Sequence, residues 1–152
     1  MIAIREGGLD DVQVQDLLRL HASGMLANSP AESCHFLDLS GLRATDVTFW
    51  SAWEGDALLG MGALKQLDAE HGEIKSMRTV PAHLGKGVGA AMLSHILSAA
   101  RARGLARLSL ETGTAPAFEP AIRLYTRHGF VPCPPFGDYR DDPHSRFLTL
   151  AL

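Results

Sequence analysis

The sequence has no long apolar run, almost no cysteine and no excess of basic charge. No stretch reaches the ~18 consecutive apolar residues that a membrane-spanning helix requires, and MIAIREGG lacks the basic and apolar segments of a secretion signal. Only Cys34 and Cys133 are present, and no CxxC, HxxxH or HExxH spacing occurs, so we expect reduced thiols and no metal. The net charge of −3 argues against a dedicated nucleic-acid-binding protein. We therefore expect a cytoplasmic protein that binds neither membrane nor nucleic acid.

The residues that are present describe a folded globular chain. With 152 residues, of which 46% are apolar and 20% charged, the chain suits one sizeable core, so we take 1–152 as a single domain. Apolar residues at helical spacing predict a helix over 10–26, with Asp10 as its N-cap. Ser29 before Pro30, with Glu32 in the first turn, predicts that a second helix starts within NSPAESCHFLDL.

Strand patterns dominate the next part of the chain. After a short strand over 2–6, three apolar segments separated by tight polar turns predict an antiparallel meander: DVTFWSAWEG, DALLGMGALKQL and HGEIKSMRTV. Helices and strands then alternate: a helix over 87–103 that ends at Gly104, the strand LARLSLE, a helix over 119–128, and the strands FVPC and SRFLTLAL. The sequence therefore predicts a mixed α/β fold, an antiparallel meander followed by β-α-β units.

Three glycines surround Lys86 where the 87–103 helix is predicted to start. Gly85, Gly87 and Gly89 cost conformational entropy, so the backbone there must need to be bare. The first amides of a helix lack internal partners, and the helix dipole adds positive charge beside them. The loop thus indicates a phosphate or pyrophosphate site, the alternative being a tight turn with close helix–strand packing. Its spacing fits neither G-x-G-x-x-G nor the Walker motif.

Two sequence elements resemble the GNAT superfamily of acyl-CoA-dependent N-acyltransferases. TVPAHLGKGVGAAML resembles the phosphate loop of that family, Q/R-x-x-G-x-G/A after a strand ending V-x-P, although Leu84 replaces Gln or Arg and Thr79 replaces Val. FEPAIRLYTRHGF resembles the later element N-x-x-A-x-x-[LF]-Y-x-x-x-G-F, although Phe118 replaces Asn. Both occur in the family order. The resemblance implies a GNAT-like fold: a central, mostly antiparallel, splayed sheet of about six to seven strands flanked by about four helices.

The same resemblance implies that acetyl-CoA binds where two strands part. The cosubstrate would enter between EIKSMRTV and ARLSLE, and its pantetheine would pair with the backbone of Met77, Arg78 and Thr79. Its pyrophosphate would lie on the amides of the loop residues Leu84, Gly85, Lys86, Gly87, Val88, Gly89 and Ala90. Arg123, Arg127 or Lys86 would meet the 3′-phosphate, unless these cations are merely solvated.

Acetylation of an amine requires a base for the ammonium proton and an acid for the leaving thiolate. Tyr125 matches the tyrosine of the family motif, which implies that it protonates the thiolate; the alternative is a tyrosine that packs on the sheet. Glu73 and Glu111 are rival bases. Some family members place their glutamate base at the spacing of Glu73, whereas Glu111 ends LSLE and could instead bind the acceptor ammonium.

Strand alternation places Glu73 on one face with Lys75, Met77 and Thr79, unless a bulge intervenes. Weaker candidates for site residues lie elsewhere in the chain. They are His21, His35 and His71, and the acidic loop over 138–142, which could attract a cationic amine or simply form a solvated turn. Trp50 and Trp53 are predicted on opposite faces of one strand, one in the core and the other at the wall of the acceptor pocket.

The sequence thus predicts an acetyl-CoA-dependent N-acetyltransferase that moves an acetyl group directly to a primary amine of a small molecule or peptide. No motif supplies a nucleophilic serine or cysteine for a covalent intermediate. The alternative is an acyl-CoA-binding regulatory module without turnover, suggested by the departures at Leu84 and Phe118. Dimers are common in the family, so the resemblance leaves a homodimer open, and no motif identifies the acceptor.

Overall fold

All seven strands of the protein join one sheet, with helices on both of its faces. The computed structural model describes residues 1–152. The strands are β1 (Ala3–Glu6), β2 (Val47–Glu54), β3 (Ala57–Gln66), β4 (His71–Thr79), β5 (Arg107–Gly113), β6 (Val131–Pro132) and β7 (Ser145–Ala151), in the order β1-β2-β3-β4-β5-β7-β6. The helices are α1 (Val12–Asn28), α2 (Leu39–Leu42), α3 (Val88–Ala102) and α4 (Glu119–Arg127). The predicted mixed α/β class, with its mostly antiparallel sheet, is confirmed.

The sheet is splayed between β4 and β5, its only parallel pair. These strands are paired at just three positions, from His71 opposite Arg107 to Glu73 opposite Ser109. Beyond Glu73, β4 continues to pair with β3 as far as Thr79, while β5 continues to pair with β7 as far as Gly113. The two strands therefore diverge, and the edges that face each other across the gap are unpaired.

A bulge in β4 reverses the side-chain alternation just before the gap. Met61 lies opposite Arg78 and Ala63 opposite Lys75, so three steps along β4 match two along β3, and Ser76 has a φ of 56°. Met77 consequently packs into the core beneath α3, together with Ile74. The expected common face for Glu73, Lys75, Met77 and Thr79 is wrong, because the extra residue turns the later pair to the opposite side.

Two apolar cores cover the two faces of the sheet. The larger lies under α3 and α4 and includes Trp50, Met92 and Tyr125. The smaller lies under α1 and includes Val14 and Trp53. The tryptophans do occupy opposite faces, but both are buried, at 4% and 6% exposure, and neither borders the gap between β4 and β5. The expectation that one of them walls an acceptor pocket is therefore wrong.

The segment between α1 and β2 contains less helix than its sequence predicts. The N-cap of α1 is Asp11, whose carboxylate accepts the Gln13 amide at 2.8 Å, and not Asp10, which pairs with Arg43. The helix expected after Ser29 is reduced to one 3₁₀ turn, Ala31–Ser33, and the four-residue α2. Residues 34–38 run without regular structure. None of the helices has the length and hydropathy needed to cross a membrane.

Candidate active site

A cavity of about 610 Å³ occupies the gap between the diverging strands. Its wall combines α1 and the irregular segment after it, the open ends of β4 and β5, the glycine loop, and the starts of α3 and α4. Most of the predicted site residues border it: Met77, Arg78, Thr79, Leu84, Gly85, Gly87, Val88, Gly89, Ala90, Glu111 and Tyr125. The splay of the sheet thus gathers residues that are up to about fifty positions apart in the chain.

The glycine loop presents a run of unused backbone donors to this cavity. The first amide bonded within α3 is that of Ala91, which donates to the Gly87 carbonyl at 3.0 Å. The amides of the six residues from Gly85 to Ala90 have no acceptor in the chain, whereas the Leu84 amide donates to the Pro81 carbonyl at 3.3 Å. Six adjacent free N–H groups at a helix start are suited to bind an anion.

The three loop glycines serve two different geometric needs. Gly85 and Gly87 have φ values of 78° and 81°, a region that residues with a Cβ adopt only under strain. Gly89 has an ordinary φ, but a Cβ there would lie 3.1 Å from Cδ2 of Leu124 in α4. The glycine at 89 therefore lets α4 approach α3 closely, and so brings α4 to the cavity.

Tyr125 reaches the cavity from α4. Its ring is 5% exposed and packs edge-on against Phe130 at a centroid distance of 5.7 Å. Its hydroxyl has no hydrogen-bond partner in the chain, although it is not sealed off from the cavity. Burial raises the pKa of the phenol above its ordinary value. Tyr125 is thus a protonated donor that faces the cavity without a protein acceptor.

Glu111 and Glu73 have different environments on the same side of the sheet. Glu111 borders the cavity, and burial raises the pKa of its carboxyl group above the ordinary value, against the opposing effects of Ser145, His35 and Lys75. Glu73 is 3% exposed and does not border the cavity. Of the two carboxylates, Glu111 is the one placed to meet a ligand in the cavity.

The carboxylate of Glu73 is held by two neighbours. Lys75 Nζ lies 3.2 Å from Glu73 Oε2 and donates to the Tyr139 hydroxyl at 2.9 Å. Tyr139 in turn donates to Glu73, and burial, followed by the charge of Glu73, raises the pKa of its phenol. His35 and Phe136 pack edge-on against the Tyr139 ring, each at 5.1 Å. Glu73 is therefore a saturated carboxylate within a small polar cluster.

Several predicted residues lie outside the cavity wall. Lys86 is exposed and its Nζ lies 2.9 Å from His83 Nδ1, while Arg123 is exposed on α4. His71 lies at the paired end of β4, where its Nε2 is 2.7 Å from Ser109 Oγ. In the acidic loop, Asp142 accepts the Ser33 hydroxyl at 2.6 Å, so it ties that loop to the segment after α1.

Phe118, which stands where the family motif has asparagine, borders the cavity at the start of α4. Its ring lies over Gly113 at the end of β5, where a Cβ would be only 2.2 Å from Phe118 Cε2. The absence of a side chain at Gly113 therefore makes room for the Phe118 ring. No three side chains of His, Cys, Asp or Glu lie close enough together to hold a metal ion.

Comparison with known proteins agrees with this geometry. The family model "Acetyltransferase (GNAT) family" matches residues 14–130. The chain belongs to the GNAT acetyltransferase family. It is similar to the uncharacterised N-acetyltransferase YedL of Escherichia coli K12, with 55% identity over 152 residues that cover all of this chain and 96% of YedL. A Klebsiella pneumoniae protein described as an acyl-CoA N-acyltransferase superposes with a TM-score of 0.84 at 28% identity, covering 100% of this chain and 98% of the other.

The GNAT fold is also shared with a more distant acetyltransferase from Elizabethkingia anophelis, whose crystal structure contains acetyl-CoA. That structure has a TM-score of 0.71 at 19% identity and covers 99% of this chain and 98% of the other.

Within this GNAT chain, sequence reasoning missed two features of the site. These are the inward position of Tyr139 and the contact between Arg78 and α1. A glycine in the interior of an amphipathic helix, Gly24, was the available signal for the second.

Proposed function

We propose that the protein is an N-acetyltransferase that transfers the acetyl group of acetyl-CoA directly to a primary amine of a small molecule or peptide. The observation that carries this proposal is the run of free amides from Gly85 to Ala90, of which all but that of Lys86 belong to residues that border the same cavity as Tyr125. An anion site and a proton donor on one cavity suit a ligand that has a pyrophosphate at one end and a leaving thiol at the other.

Acetyl-CoA would be held by backbone more than by charged side chains. The pyrophosphate is assigned to the glycine-loop amides, and the pantetheine to the unpaired edge of β4 at Met77, Arg78 and Thr79. The exposed cations Lys86, Arg123 and Arg127 are the available partners for a 3′-phosphate near the loop. The backbone donors explain why Leu84, 68% exposed, can replace the Gln or Arg of the family motif.

The chemistry assigned to the site needs one base and one acid. Glu111 accepts the proton of the acceptor ammonium, and a carboxylate with a raised pKa is a better base near neutral pH. The amine lone pair then attacks the thioester carbonyl carbon, the C–S bond breaks, and the leaving thiolate takes the proton of Tyr125. Glu73 is assigned a structural role, because Lys75 and Tyr139 already occupy its carboxylate.

A thiol-release assay with acetyl-CoA and a panel of primary amines tests the proposal, alongside calorimetric titration of acetyl-CoA. We expect acetyl-CoA to bind and at least one amine to stimulate CoA release. Absence of acetyl-CoA binding would exclude both the proposed acetyltransferase activity and acetyl-CoA as its cosubstrate. Binding without transfer to any amine would instead favour an acyl-CoA-binding regulatory module. The single sheet that joins all seven strands supports the further proposal that 1–152 is one domain.

A further inference from the structure

Arg78 is a half-buried cation without a partner. Its side chain borders the cavity and forms neither a hydrogen bond nor an ion pair with any residue of the chain. The ion pairs of the protein involve other residues, and the carboxylate nearest to it along β4, Glu73, is paired with Lys75. Burial lowers the pKa of the Arg78 guanidinium below its ordinary value. A guanidinium that is partly removed from water and left unpaired is costly, and a bound anion would stabilise it.

Helix α1 contains a residue that makes room for this guanidinium. A Cβ at Gly24 would lie 2.6 Å from Nη2 of Arg78 and 3.4 Å from its Cζ. Glycine in a helix interior is less favourable than alanine, and Gly24 has an ordinary helical φ, so backbone conformation does not require it. The space for Arg78 is therefore what Gly24 provides.

His21 lies one turn before Gly24 and is a second unpartnered group on the same wall. Its side chain borders the cavity, the residue is only 9% exposed, and its buried Nδ1 has no hydrogen-bond partner. Burial, followed by the charge of Arg78, lowers the pKa of His21 to about 4, so the ring is neutral near pH 7. Buried polar groups without a partner are rare in native proteins, and here one lies beside a free guanidinium.

These groups lie on the opposite face of the sheet from the proposed acetyl-CoA site. Tyr125 and Val88, at the glycine loop, belong to the core under α3 and α4. Arg78 and His21 lie instead on the α1 side, as does Glu111, which is close enough to His35 and Lys75 for their charges to affect its pKa. An acyl donor on the loop amides therefore leaves this half of the cavity to the acceptor.

We propose that the acceptor is an amine that also carries a carboxylate, such as an amino acid, with its carboxylate bound by Arg78 beside His21 and its amine at Glu111. This inference rests on the proposed acetyltransferase function, from which it takes the position of the donor. Arginine binds a carboxylate through two parallel hydrogen bonds, and Arg78 has no other partner for its guanidinium. The neutral His21 ring adds a further donor or acceptor for the same group.

Matched pairs of acceptors provide the test: the common amino acids and the primary amide of each, assayed for CoA release in the presence of acetyl-CoA. For a carboxylate bound by a half-buried guanidinium we expect kcat/KM to favour the acid over its amide by about 10- to 100-fold for the preferred side chain. The Arg78→Gln variant should lose that preference. It should keep the Kd of acetyl-CoA, because the cosubstrate is assigned to the backbone of residue 78, which the substitution leaves in place. Arg78→Lys should retain part of it, because the charge remains but the two-pronged geometry is lost.

Gly24→Ala tests the geometry without removing the charge. Alanine favours the helix, and the atom it displaces is the flexible end of Arg78, so the variant should fold at least as stably as the wild type. It should nevertheless raise the KM of the acid and leave that of the amide unchanged. Ser23→Ala, at an exposed neighbouring position of α1 that does not border the cavity, is the matched control and should change neither constant.

Direct binding separates the failure of this inference from the failure of the proposed function. Calorimetric titration of the same pairs into the protein saturated with CoA reports recognition without turnover. Tighter binding of acids by the wild type, lost in Arg78→Gln, supports the inference even if no acetyl group is transferred. Equal binding of acids and amides, or a preference that survives in Arg78→Gln, overturns it, even if amines are acetylated. Weaker binding of acetyl-CoA to Arg78→Gln would also overturn it, because Arg78 would then serve the donor.

Discussion

The Tyr139 hydroxyl donates a hydrogen bond to Glu73, so a loop residue near the end of the chain completes an ion pair in the middle of β4. The Lys75 ammonium is shared between the two, at 3.2 Å from the carboxylate and 2.9 Å from the hydroxyl. Glu73 and Lys75 are 4% and 9% exposed as side chains, so little water is available to replace either partner. The cluster fastens the loop before β7 to the splayed part of the sheet.

Removing a member of this cluster should lower stability more than it lowers the rate of the chemical step. Tyr139→Phe keeps the ring but removes the hydroxyl, and we expect the free energy of unfolding to fall by about 1–3 kcal/mol. Glu73→Gln leaves Lys75 buried without its counter-charge and should cost about 3–5 kcal/mol. Urea unfolding measures both. A Glu73→Gln protein of normal stability that has lost turnover would instead identify Glu73 as the base.

Gly85 and Gly104 offer a matched pair of substitutions for the glycine loop. Both have φ near +75°, at 78° and 75°, and no atom lies within 4 Å of a Cβ at either position. Alanine at either should therefore destabilise the fold similarly, by about 1–2 kcal/mol. Only Gly85→Ala should also weaken acetyl-CoA binding, because its strain is relieved by moving the free amides. Titration calorimetry on the two variants decides the point; equal acetyl-CoA affinities would remove the loop from the binding site.

Tyr125→Phe should reduce turnover and leave acetyl-CoA binding nearly unchanged. The phenylalanine ring preserves the edge-on contact with Phe130, so the loss is confined to the hydroxyl. Because general acid catalysis contributes about 10²- to 10⁴-fold, we expect kcat to fall by at least about tenfold. Steady-state kinetics with acetyl-CoA and any accepted amine measures the change. A variant with unchanged kcat would remove Tyr125 from the role of acid.

The pH dependence of kcat should report the raised pKa of Glu111. A base must be deprotonated to act, so kcat should fall as the pH drops through the pKa of this carboxyl group, which burial places above the ordinary value of 4.5. The acid limb should therefore lie at a higher pH than an unperturbed glutamate would give. Glu111→Gln should lower kcat and abolish that limb. If Glu111→Gln retains the limb, the proton is taken by another group, with His35 the next candidate.

Local sequence patterns predict the elements that depend on neighbouring residues. These are the strands, the two long helices after β1 and β4, and the glycine loop. Apolar segments separated by tight polar turns predict β2 to β4, and Gly104 ends α3 close to where it is predicted to end. The family elements then identify the cavity, since the loop and Tyr125 lie in one site. Local signals and tertiary structure agree at these positions.

The features that escape prediction depend on contacts between distant residues. Ser76 adopts a φ of 56°, and because it is not a glycine the sequence does not signal this conformation. The bulge at this single residue places the side chains of Lys75 and Met77 on opposite faces of the sheet. The helical signals after Ser29 produce only short turns, and His35 and Phe36 from the irregular segment between those turns border the cavity. The inward position of Tyr139 depends on Glu73 and Lys75, 66 and 64 positions away in the chain.

The splay between β4 and β5 has a consequence for the behaviour of the chain in a crowded solution. An unpaired strand edge on the outside of a protein can recruit the strand of another chain and so begin aggregation. Here the unpaired edges face each other inside the molecule, enclosed by α1, α3 and α4. A second sheet cannot reach them, whereas a narrow extended chain of atoms can. The fold thus keeps strand-like donors and acceptors available to a slender ligand while shielding them from other polypeptides.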